Sequence, residues 1–168
     1  MSKPIEVALD TCVILDLADD DEAVIGALKT ISKKIPDSQI VILPTVIQEL
    51  AAITKEGDTA AERALAVKAL KNIRGPWNFV PVICFPVGCG IVEETARKIR
   101  GKGLIPDEEV HDSFIVAEAG LRGVSILLSS DAHIKDIDYN DLKFLMDSCD
   151  LSCPLLVSPR KVVALFSE

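Results

Sequence analysis

Residues 5–17 read IEVALDTCVILDL. IEVAL is a short, mostly apolar run bounded by Pro4 and Asp10, which predicts a buried strand. Asp10 ends it, and a charge beside a buried strand must be paired, hydrated or bound to a cation. TCVILDLAD (11–19) then fits a first helix, with Thr11 able to cap it.

The same grammar repeats along the chain. DDDEAVIGALKTISKKI (19–35) predicts a helix that acids open and Lys33 and Lys34 close, with Val24, Leu28 and Ile31 on its apolar face. QIVIL (39–43) predicts a second buried strand, and PTVIQELAAITKE (44–56) a helix with Pro44 near its start. TAAERALAVKALKNI (59–73) is again helical, ended by Arg74-Gly75-Pro76. WNFVPVICF (77–85) is a strand or extended segment that Pro81 restricts to an edge or a bulge. Residues 91–101 suit a helix. DEEVHDSFIVAEAGLRG (107–123) carries the clearest helical pattern, with three acids in its first turn, apolar residues at Val110, Phe114, Ala117 and Leu121, and Gly123 just past its end. VSILLSS (124–130) is a third buried strand followed by Asp131, a short helix is expected near 139–147, PLLVS (154–158) is a last strand, and PRKVVALF (159–166) a last helix or turn. Strands that read as apolar runs and alternate with helices predict an α/β fold, a short parallel sheet covered by helices on both faces. Ligands of such sheets bind beyond the carboxyl ends of the strands.

Composition narrows the class. The chain has 168 residues, enough for one domain spanning 1–168 with its own core, and 49 % of them are apolar, which excludes disorder. No apolar run approaches the roughly 18 residues of a membrane span, and MSKPIEVALD lacks the apolar stretch of a signal peptide. A soluble cytosolic protein with no membrane partner is expected. The five cysteines, Cys12, Cys84, Cys89, Cys149 and Cys153, are odd in number and form no CxxC pair, so buried thiols are expected rather than disulfides or, with His111 and His133, a zinc site. The net charge of −8 argues against coating nucleic acid by charge alone and points to a cation or a basic partner that manages the surplus of acids.

Four acids fall where the crevice should be. Asp10 follows the first strand, Asp131 follows the strand at 124–130, Glu49 lies early in the helix after the second strand, and Asp112 lies among apolar neighbours in the helix at 107–123. Four converging carboxylates repel one another and raise each other's pKa values. A divalent cation turns that repulsion into coordination, and all-oxygen donors suit Mg²⁺ or Mn²⁺.

The strings ALDTCVILDL (8–17), LPTVIQEL (43–50), HDSFIVAEA (111–119) and LLSSDAHI (127–134), in that order, resemble the four motifs of the PIN-domain family, the ribonucleases that include VapC-like toxins and PilT N-terminus-type proteins. The resemblance implies a three-layer α/β/α sandwich and metal-dependent cleavage of single-stranded RNA. It places the acidic quartet on Asp10, Glu49, Asp112 and Asp131, and hydroxyl positions on Thr11 and Ser129. Asp10, Asp112 and Asp131 are expected to hold one or two Mg²⁺ or Mn²⁺ ions directly, Glu49 through a water, with Thr11 and Ser129 bonding the carboxylates. Where many members carry a further acid two positions after the last aspartate, this chain has His133; Asp136 is a candidate substitute. Glu108, four residues before Asp112, is expected to share its helix face.

Lys and Arg concentrate at Arg63, Lys68, Lys71 and Arg74, and at Arg97, Lys98, Arg100 and Lys102; the second group is the candidate RNA rim. Trp77 could stack a base, though packing is its expected role. Asp16 and Asp19 to Glu22 read as a solvated, capping acidic run.

Three readings compete with an antitoxin-paired toxin. They are an RNA-processing nuclease without an antitoxin, a non-catalytic PIN-like binding module, and an aspartate-nucleophile phosphotransferase, which wants a second acid where Cys12 stands. The resemblance also implies a homodimer.

Overall fold

The computed structural model describes residues 2–83 and 88–167. Cys84 and the end of the WNFVPVICF segment lie outside the described residues. In chain order the elements are β1 (Ile5–Leu9), α1 (Thr11–Ala18), α2 (Glu22–Lys34), β2 (Ser38–Ile42), α3 (Pro44–Glu56), α4 (Ala60–Arg74), β3 (Val80–Pro81), α5 (Cys89–Gly101), α6 (Val110–Arg122), β4 (Ile126–Leu128), α7 (Ala132–Lys135), α8 (Tyr139–Ser148), β5 (Leu155–Val157) and α9 (Pro159–Phe166).

The strands form a five-stranded sheet in the order β3-β2-β1-β4-β5, with every pairing parallel. The chain steps outward from β1 to β2 to β3, crosses back to β4 on the other side of β1, and steps outward again to β5. That reversal makes an α/β/α arrangement and opens a crevice between the carboxyl ends of β1 and β4. Asp10 N–H donates to the Leu128 carbonyl across this point at 2.9 Å, so the residues after both strands are held together. Pro81 sits in a two-residue strand at the sheet edge, where its missing N–H costs least.

Val7, Ala8, Leu9, Val41, Ile42, Leu127 and Leu128 are fully buried, as apolar strands covered on both faces should be. Two buried polar residues depart from that rule at the amino end of the sheet and beside it. Glu6, 3 % exposed, takes a bidentate pair from Arg122 (Nε to Oε2 2.9 Å, Nη2 to Oε1 2.8 Å). Glu118, 5 % exposed, accepts the Thr45 N–H at 3.1 Å and the Thr45 hydroxyl at 3.0 Å. Because α3 has no side-chain cap of its own at Leu43, Glu118 satisfies an amide at its start from another helix.

Three expectations are corrected. Asp10, not Thr11, caps α1; Thr11 is the first helical residue. The helix at 107–123 begins at Val110, because Glu109 N–H turns back to the Pro106 carbonyl; Asp107, Glu108 and Glu109 precede it instead of filling its first turn. Its buried face also runs wider than the apolar stripe suggests: Ser113 and Ile115 to Gly120 are covered, while Val110 is exposed. Gly123 does close the helix in the left-handed region (φ 79°).

Gly120 marks the closest approach of α6 to the segment before β5. A Cβ there would lie 3.0 Å from the Ser152 carbonyl and 3.1 Å from the Met146 sulfur. Gly120→Ala is therefore expected to destabilise by about 1–2 kcal/mol although alanine is the better helix former. A thermal melt checks it, and an unchanged or raised melting temperature would show that the contact yields.

Candidate metal centre

Asp10 stands where β1 becomes α1, in extended backbone (φ −70°, ψ 160°), which turns its carboxylate back over the helix start. Oδ1 accepts the Thr11 N–H at 2.7 Å. Oδ2 accepts the Ser129 hydroxyl at 2.6 Å and the Cys12 thiol at 3.4 Å. Asp10 is 4 % exposed, and burial raises its pKa; the bonds from Ser129, Thr11 and Cys12 oppose the rise and Asp131 adds to it. Burial first, and Asp10 second, push the Cys12 thiol up to about 12, so it stays protonated and donates.

Ser129 is fully buried and joins two of the acids. Its hydroxyl donates to Asp10 while its oxygen accepts the Asp131 N–H at 3.0 Å. Asp131 caps α7 by accepting the His133 N–H at 2.8 Å. Across the crevice, Glu49 on α3 accepts the Thr11 hydroxyl at 2.9 Å through Oε1 and faces His111 Nδ1 at 3.6 Å through Oε2. Burial raises the Glu49 pKa, Thr11 and His111 lower it, and Asp10 raises it.

Asp112 is the least satisfied of the four. Burial, then Asp10, Asp131, Glu109 and Glu49 in that order, raise its pKa to about 7. Its Oδ2 is buried with no hydrogen-bond partner among the described residues. A buried carboxylate oxygen without a donor is costly, and a cation relieves that cost.

Among the described residues no three acid, imidazole or thiol groups are already drawn into a cage for an ion. The donor set still fits a hard divalent cation: Asp112 Oδ2 is uncommitted, and the charges of Asp10, Asp131 and Glu49 all act on Asp112.

A family model described as the PIN domain matches residues 7–139. The chain belongs to the PIN domain family. Its members are generally nucleases and typically use divalent metal ions. The structure is similar to the crystal structure of VapBC2 from Rickettsia felis bound to a DNA fragment from their promoter, at 15% identity over 92% of this chain and 98% of that one, with a TM-score of 0.63. It is also similar to FitAcB from Neisseria gonorrhoeae, at 14% identity over 91% and 97% of the two chains, with a TM-score of 0.55. At these identities the likeness is one of fold. No curated protein matches in sequence.

In this PIN domain, Asp10, Glu49, Asp112, Asp131, Thr11 and Ser129 come together at the switch point, and the other candidates scatter. Glu108 is exposed and lies before α6, so it shares no helix face with Asp112; Glu109 is the acid that acts on Asp112. Asp136 is exposed and caps the far end of α7. His133 Nε2 faces Glu109 at 3.8 Å. On the expected rim, Arg97 and Lys98 pair with Glu94, Arg100 donates to Ser113 Oγ at 2.6 Å, and Lys102 is exposed at the end of α5. Trp77 packs beside Phe79 in a cavity of about 880 Å³ that also takes in Ser38 and Gln39, at the amino end of the sheet and so away from the acids. Glu109, His111 and the Cys12 thiol are the site neighbours that the sequence reading missed. For Glu109 the available signal was its place at the end of the acidic run just before Asp112.

Proposed function

We propose that the chain is a metal-dependent endoribonuclease that cleaves single-stranded RNA. The observation that carries this reading is the buried, donorless Oδ2 of Asp112 amid three other carboxylates at the switch point of a PIN fold. Asp10, Asp112 and Asp131 would hold Mg²⁺ or Mn²⁺, with Glu49 orienting a water. Such an ion supplies charge neutralisation for the phosphodiester and a bound water of lowered pKa. The protein's own groups set the stage for it. The Ser129 hydroxyl and the Thr11 amide fix the Asp10 carboxylate, and the Ser129 oxygen fixes the backbone that carries Asp131. Thr11 aims Glu49, and the protonated Cys12 thiol keeps a further negative charge out of the pocket.

An antitoxin that lays a basic segment over these acids is the partner this reading favours, given the net charge of −8. The experiment incubates the full chain with a mixed-sequence single-stranded RNA and Mn²⁺ or Mg²⁺, beside Asp10→Asn. Cleavage that needs the ion and falls at least about a hundredfold in the variant supports the reading. Absence of cleavage in either ion, together with no metal-induced rise in melting temperature, overturns it.

A further inference from the structure

Beside the acids lies a second polar cavity of about 310 Å³, and Asp16, Asp21, Ser130, Lys135, Ser158 and Arg160 all line it. Ser130, which lines the cavity, is the chain neighbour of Ser129, which bonds Asp10, and of Asp131.

Its electrostatics differ from those of the acid site. The Lys135 ammonium and the Arg160 guanidinium make no ion pair or hydrogen bond among the described residues. The α9 start, where Ser158 is the cap and Arg160 lies in the first turn, carries no acid in that turn. The α2 start faces the same space through Asp21, whose carboxylate is already committed to the Val24 N–H at 3.1 Å. One helix amino end that carries no acid, that of α9, and two unpaired cations favour an anion on that side of the cavity, while Asp16 and Asp21 make the other side acidic. Asp16 is not the freely solvated acid its setting in the acidic run suggests: burial, then Asp21 and Asp19, raise its pKa. A cavity that pairs two cations with an acid able to accept hydrogen bonds suits a ligand carrying both a phosphate and hydroxyl or amino donors. A nucleotide is such a ligand.

We infer that this cavity is the subsite for the nucleotide next to the scissile phosphodiester, with Lys135 and Arg160 holding its phosphate and Asp16 its donors. The inference rests on the nuclease reading for the strand's position, but binding tests it separately from cleavage. The probe is a fluorescently labelled mixed-sequence single-stranded RNA, titrated by anisotropy in Ca²⁺ against the full wild-type chain. Lys135→Ala and Arg160→Ala are compared with it, and Lys161→Ala, in the same turn of α9 but not lining the cavity, serves as the control. Each cavity variant is expected to weaken binding by roughly threefold to tenfold. Each should also flatten the slope of log affinity against log salt by about 0.7, the signature of one lost contact to a single-strand phosphate, whereas Lys161→Ala keeps the wild-type slope. A general loss of structure would not change that slope by one contact. Wild-type slopes in Lys135→Ala and Arg160→Ala, or no binding of RNA by the wild-type chain, overturn the subsite. Cavity-dependent binding with no cleavage in either Mn²⁺ or Mg²⁺ and no metal-induced rise in melting temperature overturns the nuclease reading and leaves the cavity as an RNA-binding site.

Discussion

Asp112→Asn is expected to raise the melting temperature of the metal-free protein at pH 8 and, under the proposed function, to abolish RNA cleavage. Burial and the charges of Asp10, Asp131, Glu109 and Glu49 raise the Asp112 pKa from the ordinary 3.8 to about 7. The folded chain thus binds this proton more tightly than the unfolded chain does. Between about pH 4 and pH 7 stability falls as the pH rises, and the full cost is present above pH 7. Taken at face value the gap corresponds to about 4 kcal/mol, but Asp112 keeps partial contact with solvent, and screening reduces this to about 1–2 kcal/mol. For a chain of this size that is a rise of roughly 3–8 °C, shrinking toward zero as the pH is lowered to 4. Mg²⁺ should stabilise the parent by about 2.7 kcal/mol at a hundred times its dissociation constant, and the variant far less. Loss of one ligand to a catalytic ion lowers the rate by about a hundredfold or more. Melting curves at pH 4, 6 and 8, with and without Mg²⁺, decide the matter. A variant no more stable than the parent at pH 8 would show that the four acids do not strain the fold.

The second large effect lies at the other end of the sheet. Arg122→Met leaves the Glu6 carboxylate buried at 3 % exposure with its bidentate partner gone. Truncating one member of such a pair costs about 3–5 kcal/mol, and the partial exposure of Arg122 places this one near the lower figure. A fall in melting temperature of roughly 6–12 °C follows. The double change Glu6→Leu/Arg122→Met should restore most of the loss, because most of the cost is the stranded charge and not the missing attraction. If the double variant melts as low as the single one, the packing of the Arg122 stem, and not its charge, is what matters.

Much of this was legible in the chain itself, and the reason is periodicity. IEVAL, QIVIL and VSILLSS read as buried strands and contain β1, β2 and β4, and Asp10 and Asp131 follow the first and the last of them, so the parallel sheet and its switch point were readable from order, while the full quartet came as an expectation from the family resemblance. Most of the failures depended on backbone direction or on a distant partner. Asp10 and Thr11 are both good caps by type, and only the extended backbone at Asp10 decides between them. Glu108 and Glu109 differ by one residue, and the turn at Pro106 decides which of them approaches Asp112. Glu118 reads as one more polar position on a helix, because Thr45, its partner, is 73 residues away. The short helix α7 had no apolar period to reveal it.

The pairing of β1 with β4 has a consequence for the birth of the protein. Val7 meets Ile126 and Leu9 meets Leu128, so the two halves of the acidic pocket come from segments 119 residues apart in the chain. Contacts of that separation form late, since a long loop must close before they return any free energy. A nascent chain that has made β1, β2 and their helices still has Asp10 without Ser129 or Asp131 beside it. Whatever chemistry the pocket performs therefore cannot begin on the ribosome until β4 and Asp131 have emerged.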